Sequence, residues 1–264
     1  MRAPRFLVPD VPDFGLVALP ETESHHATKV LRLKVGESIE LFDGVGYVGT
    51  GVIVELGRRD VTVQVSQKRF APYDHFGRLT LAVALPKGDR QRGTIEKLTE
   101  LGADRLVPLE TNFSVAEVND RNANRLDRYA IEACKQSRRN RLVQIDPSMN
   151  TTNFCREIRT VLQAGIRTWV LHPPDTQCRF DSVPVLSTQF LTKPLAGVIF
   201  AIGPEGGFSD SEIASMMEAG AGLLSLGDRI LRVETAVAVA CTLGSLWVGQ
   251  SRASQSSEGP LIGS

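Results

Sequence analysis

"GVIFAIGPEGGFSDSE", Gly197 to Glu212, is the stretch on which the architecture turns. It opens as a short apolar run that suits a buried strand. Ser209 and Glu212 have capping-box spacing, so a helix begins near Ser209. Strand, glycine-rich turn and helix in that order are the unit of an α/β sheet, and open sheets of this kind bind ligands beyond the carboxyl ends of their strands. Gly206 and Gly207 permit positive φ and a close approach of backbone amides to a ligand. A phosphate cradle would add a lysine after its glycines, and none follows here. Glu205 sits inside the loop instead. Its carboxylate repels phosphate but tolerates a ribose hydroxyl, an amine or a cation. A neutral or cationic adenosine derivative therefore suits the loop better than ATP or NAD.

Outward from this unit the same alternation recurs. "LTLAVAL", "RLVPLE", "TWVLH" and "LLSLG" read as strands, and 122–137, 151–164, 209–219 and the apolar 233–248 as helices. This βα order predicts a mostly parallel sheet covered on both faces. Two further strand-end loops, "LHPPD" (Leu171 to Asp175) and "LGDRILRVE" (Leu226 to Glu234), are positioned to converge with the glycine loop on one pocket. The first 70 or so residues differ. "SIELFDG", "YVGTGVIVEL" and "DVTVQVSQKR" are short β-type segments that predict a small barrel, preceded by a short helix in "HHATKVLRL". The expected division is 1–72 barrel, 73–250 α/β domain, and 251–264 a polar, disordered tail.

Two glycine motifs carry no function. "GVGYVG" (Gly44 to Gly49) has dinucleotide-binding spacing but is followed by a strand, so it predicts a hairpin turn. "GDRQRGT" (Gly88 to Thr94) lacks the lysine of a P-loop. Cys134, Cys155, Cys178 and Cys241 are scattered, and the four histidines form no metal-spaced set. Neither a disulfide framework nor a metal site is expected, and a reducing cytoplasm fits. No apolar run is long enough to span a bilayer. The 30 basic and 30 acidic residues cancel, but between Arg121 and Arg141 seven basic residues face two acidic ones. Arg121, Arg125, Arg128, Lys135 and Arg139 share one side of a helix; the spacing alone fits a solvated face as well as a phosphate-binding stripe.

"IGPEGGFSDSEI" followed by "LSLGDRILRVETAVA" closely resembles the RsmE family, bacterial methyltransferases of the SPOUT superfamily that modify N3 of a uridine in 16S ribosomal RNA. "HHATKVLRLKVGESIELFDG" resembles the family's N-terminal PUA-like barrel, and "KGDRQRGTIEKLTELGADRLVPL" and "IEACKQSRRN" its central segments. The likeness covers nearly the whole chain. One departure is Phe113 in "TNFSV", where members often carry arginine.

The resemblance implies a PUA-like β-barrel, then a SPOUT α/β methyltransferase domain with a C-terminal trefoil knot, a homodimer and a cytoplasmic enzyme. It implies S-adenosylmethionine as cofactor, held by Leu171, His172, Pro173, Ile202, Gly203, Pro204, Glu205, Gly206, Gly207, Leu226, Gly227, Ile230 and Leu231. Arg232 is the expected electrostatic stabiliser of a uracil oxygen, with Glu234 orienting it or assisting proton removal. Arg32, Lys34, Arg138, Arg139 and Arg141 are the expected RNA contacts, on 16S ribosomal RNA in the small subunit. Two alternatives stay open at this level: a non-catalytic RNA-binding protein, and a SPOUT methyltransferase acting on transfer RNA.

Overall fold

The structure, a computed structural model, describes residues 3–57, 60–71, 78–114, 120–173 and 196–255, with the side chains of 120–122 and 249–255 set aside. The chain separates into two compact units, one of residues 1–74 with 131–142, the other of 75–130 with 143–264. The expected boundary at 72/73 lies outside the described residues.

The first unit holds β1 (Arg5–Leu7), β2 (Gly15–Ala18), α1 (Glu21–His25), a π-helical turn (His26–Val30), β3 (Ser38–Phe42), β4 (Tyr47–Leu56) and β5 (Val61–Phe70). The predicted short helix is thus two pieces of different winding, an α-helical turn followed by a wider π-helical one. The strands pair in the order β1-β3-β4-β5-β2, antiparallel except for β1 with β3. Among the described residues β1 and β2 end this path, and no pairing closes it into a barrel. Alternate residues Val61, Val63 and Val65 face a core with Phe6, Ile39, Leu41 and Ile53, the period of two that a one-face-buried strand requires. "GVGYVG" is the β3–β4 turn: Asp43 Oδ1 accepts from the backbone N–H groups of Val45, Gly46 and Tyr47 at 2.8, 3.1 and 3.0 Å.

The second unit contains β6 (Arg78–Val83), α2 (Asp89–Glu100), β7 (Arg105–Glu110), β8 (Gln144–Ile145), β9 (Met149–Asn150), α4 (Thr151–Gln163), β10 (Ile166–Leu171), β11 (Gly197–Ile202), α5 (Asp210–Glu218), β12 (Gly222–Leu224) and α6 (Val233–Gln255). Helix α3 (Asp120–Ser137) belongs to this unit up to Ala130. Every strand pairing is parallel, in the order β12-β10-β11-β6-β7-β8, with β9 also on β7. Both faces are covered as predicted. Leu79, Leu81, Val83, Val198, Phe200 and Ile202 pack on one side with residues of α2, α3 and α6. Ala82, Ile199 and Ala201 pack on the other with Phe154 and Ile158 of α4 and Ile213 and Met216 of α5. Strands buried on both faces read as continuous apolar runs, which is why β11 carries six buried residues in a row. Helix α6 continues to Gln255, five residues into the stretch expected to be disordered, and 256–264 lie outside the described residues.

Residues 131–142 group with the first unit because a polar network holds them there. The Arg5 guanidinium is buried, donates to the carbonyls of Cys134 (3.2 Å) and Arg139 (2.9 Å) and to Asn140 Oδ1, and pairs with Glu40 at 2.6 Å. Asn140 in turn donates to the Ala71 carbonyl at 2.6 Å. Burial pushes the Arg5 pKa down, and the Glu40 carboxylate opposes that shift by favouring the charged form. The acceptors at its two terminal nitrogens and the ion pair with Glu40 offset the cost of burying the charge, although Nε itself makes no hydrogen bond.

Candidate functional site

Strands β12, β10 and β11 are neighbours, so their carboxyl ends open side by side. The loops that leave them surround a cavity of about 320 Å³, within the usual range for a small-molecule site. Its walls are Leu171, His172 and Pro173 after β10; Ile202 to Phe208 after β11; Leu226, Gly227 and Arg229 to Leu231 after β12; and Val233 and Ala236 of α6. All thirteen residues expected to hold the cofactor line this one cavity. Phe208, Arg229, Val233 and Ala236 join them. The two from α6 are the core-facing residues of its first turn, legible in the apolar period of "VETAVA". Arg229 and Phe208 carry no such signal beyond adjacency to the loops.

The glycine loop is shaped by two constraints. The Gly207 N–H donates to the Pro204 carbonyl at 2.8 Å, closing a tight turn in which Gly207 takes φ 74. At Gly203 a methyl group would sit 3.0 Å from the Gly207 carbonyl carbon and 3.1 Å from the Phe208 ring. The loop therefore folds back on its own start with no room for a side chain. The expected capping box is present: Ser209 N–H donates to Glu212 Oε2 at 2.9 Å, and Glu212 N–H points to Ser209 Oγ at 3.4 Å. On the opposite wall, Ser225 Oγ bonds both the carbonyl (3.1 Å) and the N–H (3.2 Å) of Gly227, and His172 N–H donates to the Leu224 carbonyl at 3.1 Å. These contacts fix the three loops without using cavity-facing charge.

Glu205 is not a free carboxylate: Arg90, at the start of α2, donates to its Oε1. The loop's negative charge is thereby offset, and the cavity is mainly apolar with backbone polar groups at its edge. Ile230 on its wall is 86% exposed, an apolar side chain with no partner until something fills the site. Such a chamber fits an adenosine carrying a neutral or cationic tail, and fits a triphosphate poorly because Arg90 is already paired.

Arg232 and Glu234 do not line the cavity. Arg232 is exposed and follows the lining residue Leu231 directly. Glu234, in the first turn of α6, has its Oε2 buried with no hydrogen-bond partner. An unmatched buried carboxylate oxygen is costly in a structure that serves packing alone.

The basic stripe is broken as a surface: Arg128 is exposed, but Arg125 and Lys135 are half-buried and Arg139 is buried. Helix α3 ends at Ser137 because Arg138 adopts φ 64, so Arg139 leaves the helical face and is only 6% exposed. Arg138 donates to the Ala3 carbonyl at 3.0 Å and pairs with Glu40 at 3.4 Å. Lys135 is half-buried and pairs with Glu23 (2.6 Å) and Glu132 (2.9 Å), and Arg125 donates to Gln91 Oε1 at 2.8 Å. Arg121's side chain lies outside the described set. Arg32, Lys34 and Arg141 are exposed. Among the described residues no cluster of His, Cys, Asp or Glu could hold a metal ion, and no helix is long and apolar enough to cross a membrane.

Fold and cavity together define an RNA-methyltransferase architecture, and comparison with known proteins agrees. Residues 74–245 match the RNA methyltransferase domain and residues 19–66 the RNA methyltransferase PUA domain. Ribosomal RNA small subunit methyltransferase E of Mycobacterium tuberculosis is 32% identical over 257 residues, 96% of this chain and 94% of that protein. The crystal structure of ribosomal RNA small subunit methyltransferase E from Neisseria gonorrhoeae bound to S-adenosyl methionine superposes with a TM-score of 0.79 at 26% identity, covering 92% of this chain and 96% of that one. A Legionella pneumophila protein solved with bound cofactor SAM gives 0.81 at 27% identity, covering 92% and 97%. The chain belongs to the ribosomal RNA small subunit methyltransferase E family.

Proposed function

We propose that the chain methylates N3 of a specific uridine in 16S ribosomal RNA of the small ribosomal subunit, with S-adenosylmethionine as the methyl donor. The observation that carries this is the single cavity formed by all thirteen residues expected to hold the donor. When bound, the donor supplies an electrophilic methyl group on a sulfonium sulfur. Gly203, Gly206 and Gly207 give its adenosine part a close-fitting backbone wall, and Leu171, Leu226, Ile230 and Leu231 exclude water from it. The pairing of Glu205 with Arg90 keeps that wall near neutral.

Uridine N3 becomes nucleophilic on losing its imide proton. In this reading Arg232, exposed just beyond Leu231, stabilises the charge that develops on a uracil oxygen, a term worth about 10²–10³ in rate for one preorganised donor. Glu234, with one carboxylate oxygen lacking a partner, orients Arg232 or receives the proton. Arg32, Lys34 and Arg141, exposed in the first unit, contact RNA phosphates. Residues 1–72 act as a PUA-like RNA-binding domain and 73–250 as the methyltransferase domain, with a C-terminal trefoil knot, in a cytoplasmic homodimer. For the dimer, support comes from α6, where Leu246 is 53% exposed; light scattering that reports a monomer at micromolar concentration contradicts it. The methylation itself is tested by mapping methylated uridines in ribosomal RNA from cells with and without the gene. Loss of one N3-methyluridine from 16S RNA supports the proposal; an unchanged 16S map, or a loss confined to transfer RNA, overturns it.

A further inference from the structure

We propose that Phe113 is the platform on which the target base stacks, an inference that rests on the methyltransferase reading of the adjacent cavity. Phe113 sits in the loop after β7 and is 51% exposed. Scattered exposed apolar side chains need no explanation, but this one is built into position. Thr111 N–H donates to Ser114 Oγ at 2.8 Å, and Ser114 N–H to the Thr111 carbonyl at 3.0 Å. Asn112 N–H donates to Glu212 Oε1 at 2.9 Å, and Asn112 Nδ2 to Ser209 Oγ at 2.9 Å. Ser209 and Glu212 are the two residues that cap α5 directly after the glycine loop. Thr111 and Ser114 thus close the turn on itself, and Asn112 ties it to the glycine-loop unit. The fourth presents a half-exposed aromatic ring, whose burial does not hold the turn in place.

The ring's location defines what it meets. Phe113 lies against Gly206, where an added methyl group would be 3.4 Å from the Phe113 Cβ. Gly206 lines the cavity and Phe113 does not. A ligand filling the cavity is therefore bordered by the ring without resting on it, which assigns the ring to the second reactant and not to the donor's adenine. Nearby charge is already matched, since Glu205 pairs with Arg90; the platform offers a π face more than a phosphate contact. Methyl transfer to a ring nitrogen requires the base to leave its own stack, and an aromatic side chain replaces the stacking that is lost. Stacking is tolerant of which base is presented, so Phe113 supplies orientation and affinity, while discrimination of uracil falls to Arg232.

The test has a kinetic arm and a binding arm. Phe113→Ala should lower kcat/KM for small ribosomal subunits about tenfold, with the donor Kd within about twofold of wild type, since one base–aromatic stack is of that order. Phe113→Tyr should keep at least half of the wild-type value. Phe113→Leu should behave like the alanine variant. Wild-type kcat/KM in Phe113→Leu would reduce the ring to packing, and loss of donor binding in Phe113→Ala would assign it to the cavity; either overturns the proposal. In the binding arm, the Phe113→Trp variant saturated with S-adenosylhomocysteine is titrated with oligouridylate and with an abasic strand of equal length. Quenching of the added indole emission by oligouridylate alone supports stacking. Absence of quenching, or equal quenching by the abasic strand, overturns it. If wild type transfers no methyl group to ribosomal RNA while the quenching occurs, the reading of the reaction has failed and the stacking platform stands.

Discussion

Alanine placed in turn at Gly203, Gly206 and Gly207 should rank donor affinity in an order that the loop geometry fixes. A methyl group at Gly203 meets the Gly207 carbonyl carbon at 3.0 Å and two Phe208 ring atoms at 3.1 and 3.2 Å. Carbon atoms prefer about 3.5 Å or more, so one side of the loop must yield by roughly 0.4 Å. One of those neighbours is backbone of the loop itself, which cannot rotate away as a side chain would. Overpacking of this size costs about 1–3 kcal/mol, or a few degrees in Tm for each kcal/mol in a chain of this length. Because the displaced atoms line the cavity, donor affinity should fall about tenfold, equivalent to about 1.4 kcal/mol. Gly207 has open space around its Cβ position but φ 74; alanine there costs about 1–2 kcal/mol of backbone strain and should weaken the donor to a similar degree. At Gly206 the nearest contact is 3.4 Å, φ is not positive, and the added methyl group points at Phe113. That variant should stay within about 0.5 kcal/mol of wild type in stability and bind the donor normally. Titration calorimetry with S-adenosylmethionine, beside thermal melts of the donor-free proteins, measures both quantities. Wild-type donor affinity in Gly203→Ala, or an equal loss in Gly206→Ala, would refute the assignment of this loop as the donor's wall.

Other substitutions separate chemistry, folding and RNA contact. Arg232→Ala should slow single-turnover methylation by about two to three orders of magnitude with little change in donor Kd, and raising the pH should restore part of the rate by supplying more deprotonated uracil. Arg5→Ala should destabilise the protein by about 3 kcal/mol in urea unfolding, since it removes the donor from the carbonyls of Cys134 and Arg139 and leaves Glu40 with only its longer contact to Arg138. Arg32 and Lys34 replaced together by alanine should make the salt dependence of RNA binding shallower, by roughly 0.7 to 0.9 in log–log slope for each lost phosphate contact. The same measurement on Arg139→Ala should show an unchanged slope, because Arg139 is 6% exposed.

The α/β alternation was legible because parallel strands buried on both faces leave uninterrupted apolar runs such as Val198 to Ile202, and because Ser209 and Glu212 mark a helix start by side-chain chemistry alone. The three strand-end loops were legible from their glycines and prolines, but the residues that wall one cavity came from the family resemblance, because the adjacency of β12, β10 and β11 is set by the assembled sheet. The basic stripe was misleading. Helical spacing from Arg121 to Arg139 runs two residues past the helix end at 137 that the sequence itself indicates, and there Arg138 takes a left-handed conformation that turns Arg139 inward. Whether a cation faces solvent or a buried carboxylate depends on partners distant in sequence. Lys135 finds Glu23, and Arg138 finds Glu40. The tie between Glu205 and Arg90 escaped the sequence for the same reason, as did the anchoring of Asn112 on Glu212, which only the assembled sheet brings within reach.

The central claim is tested most directly in vitro, with purified protein, S-adenosylmethionine labelled in its methyl group, and small ribosomal subunits from cells lacking the gene. Digestion of the RNA to nucleosides and mass analysis identify the product and its stoichiometry. The account predicts close to one labelled N3-methyluridine per 16S RNA, confined to one position, and none in transfer RNA. Binding of the subunits without any methyl transfer, or label found in transfer RNA or on another atom, would contradict it.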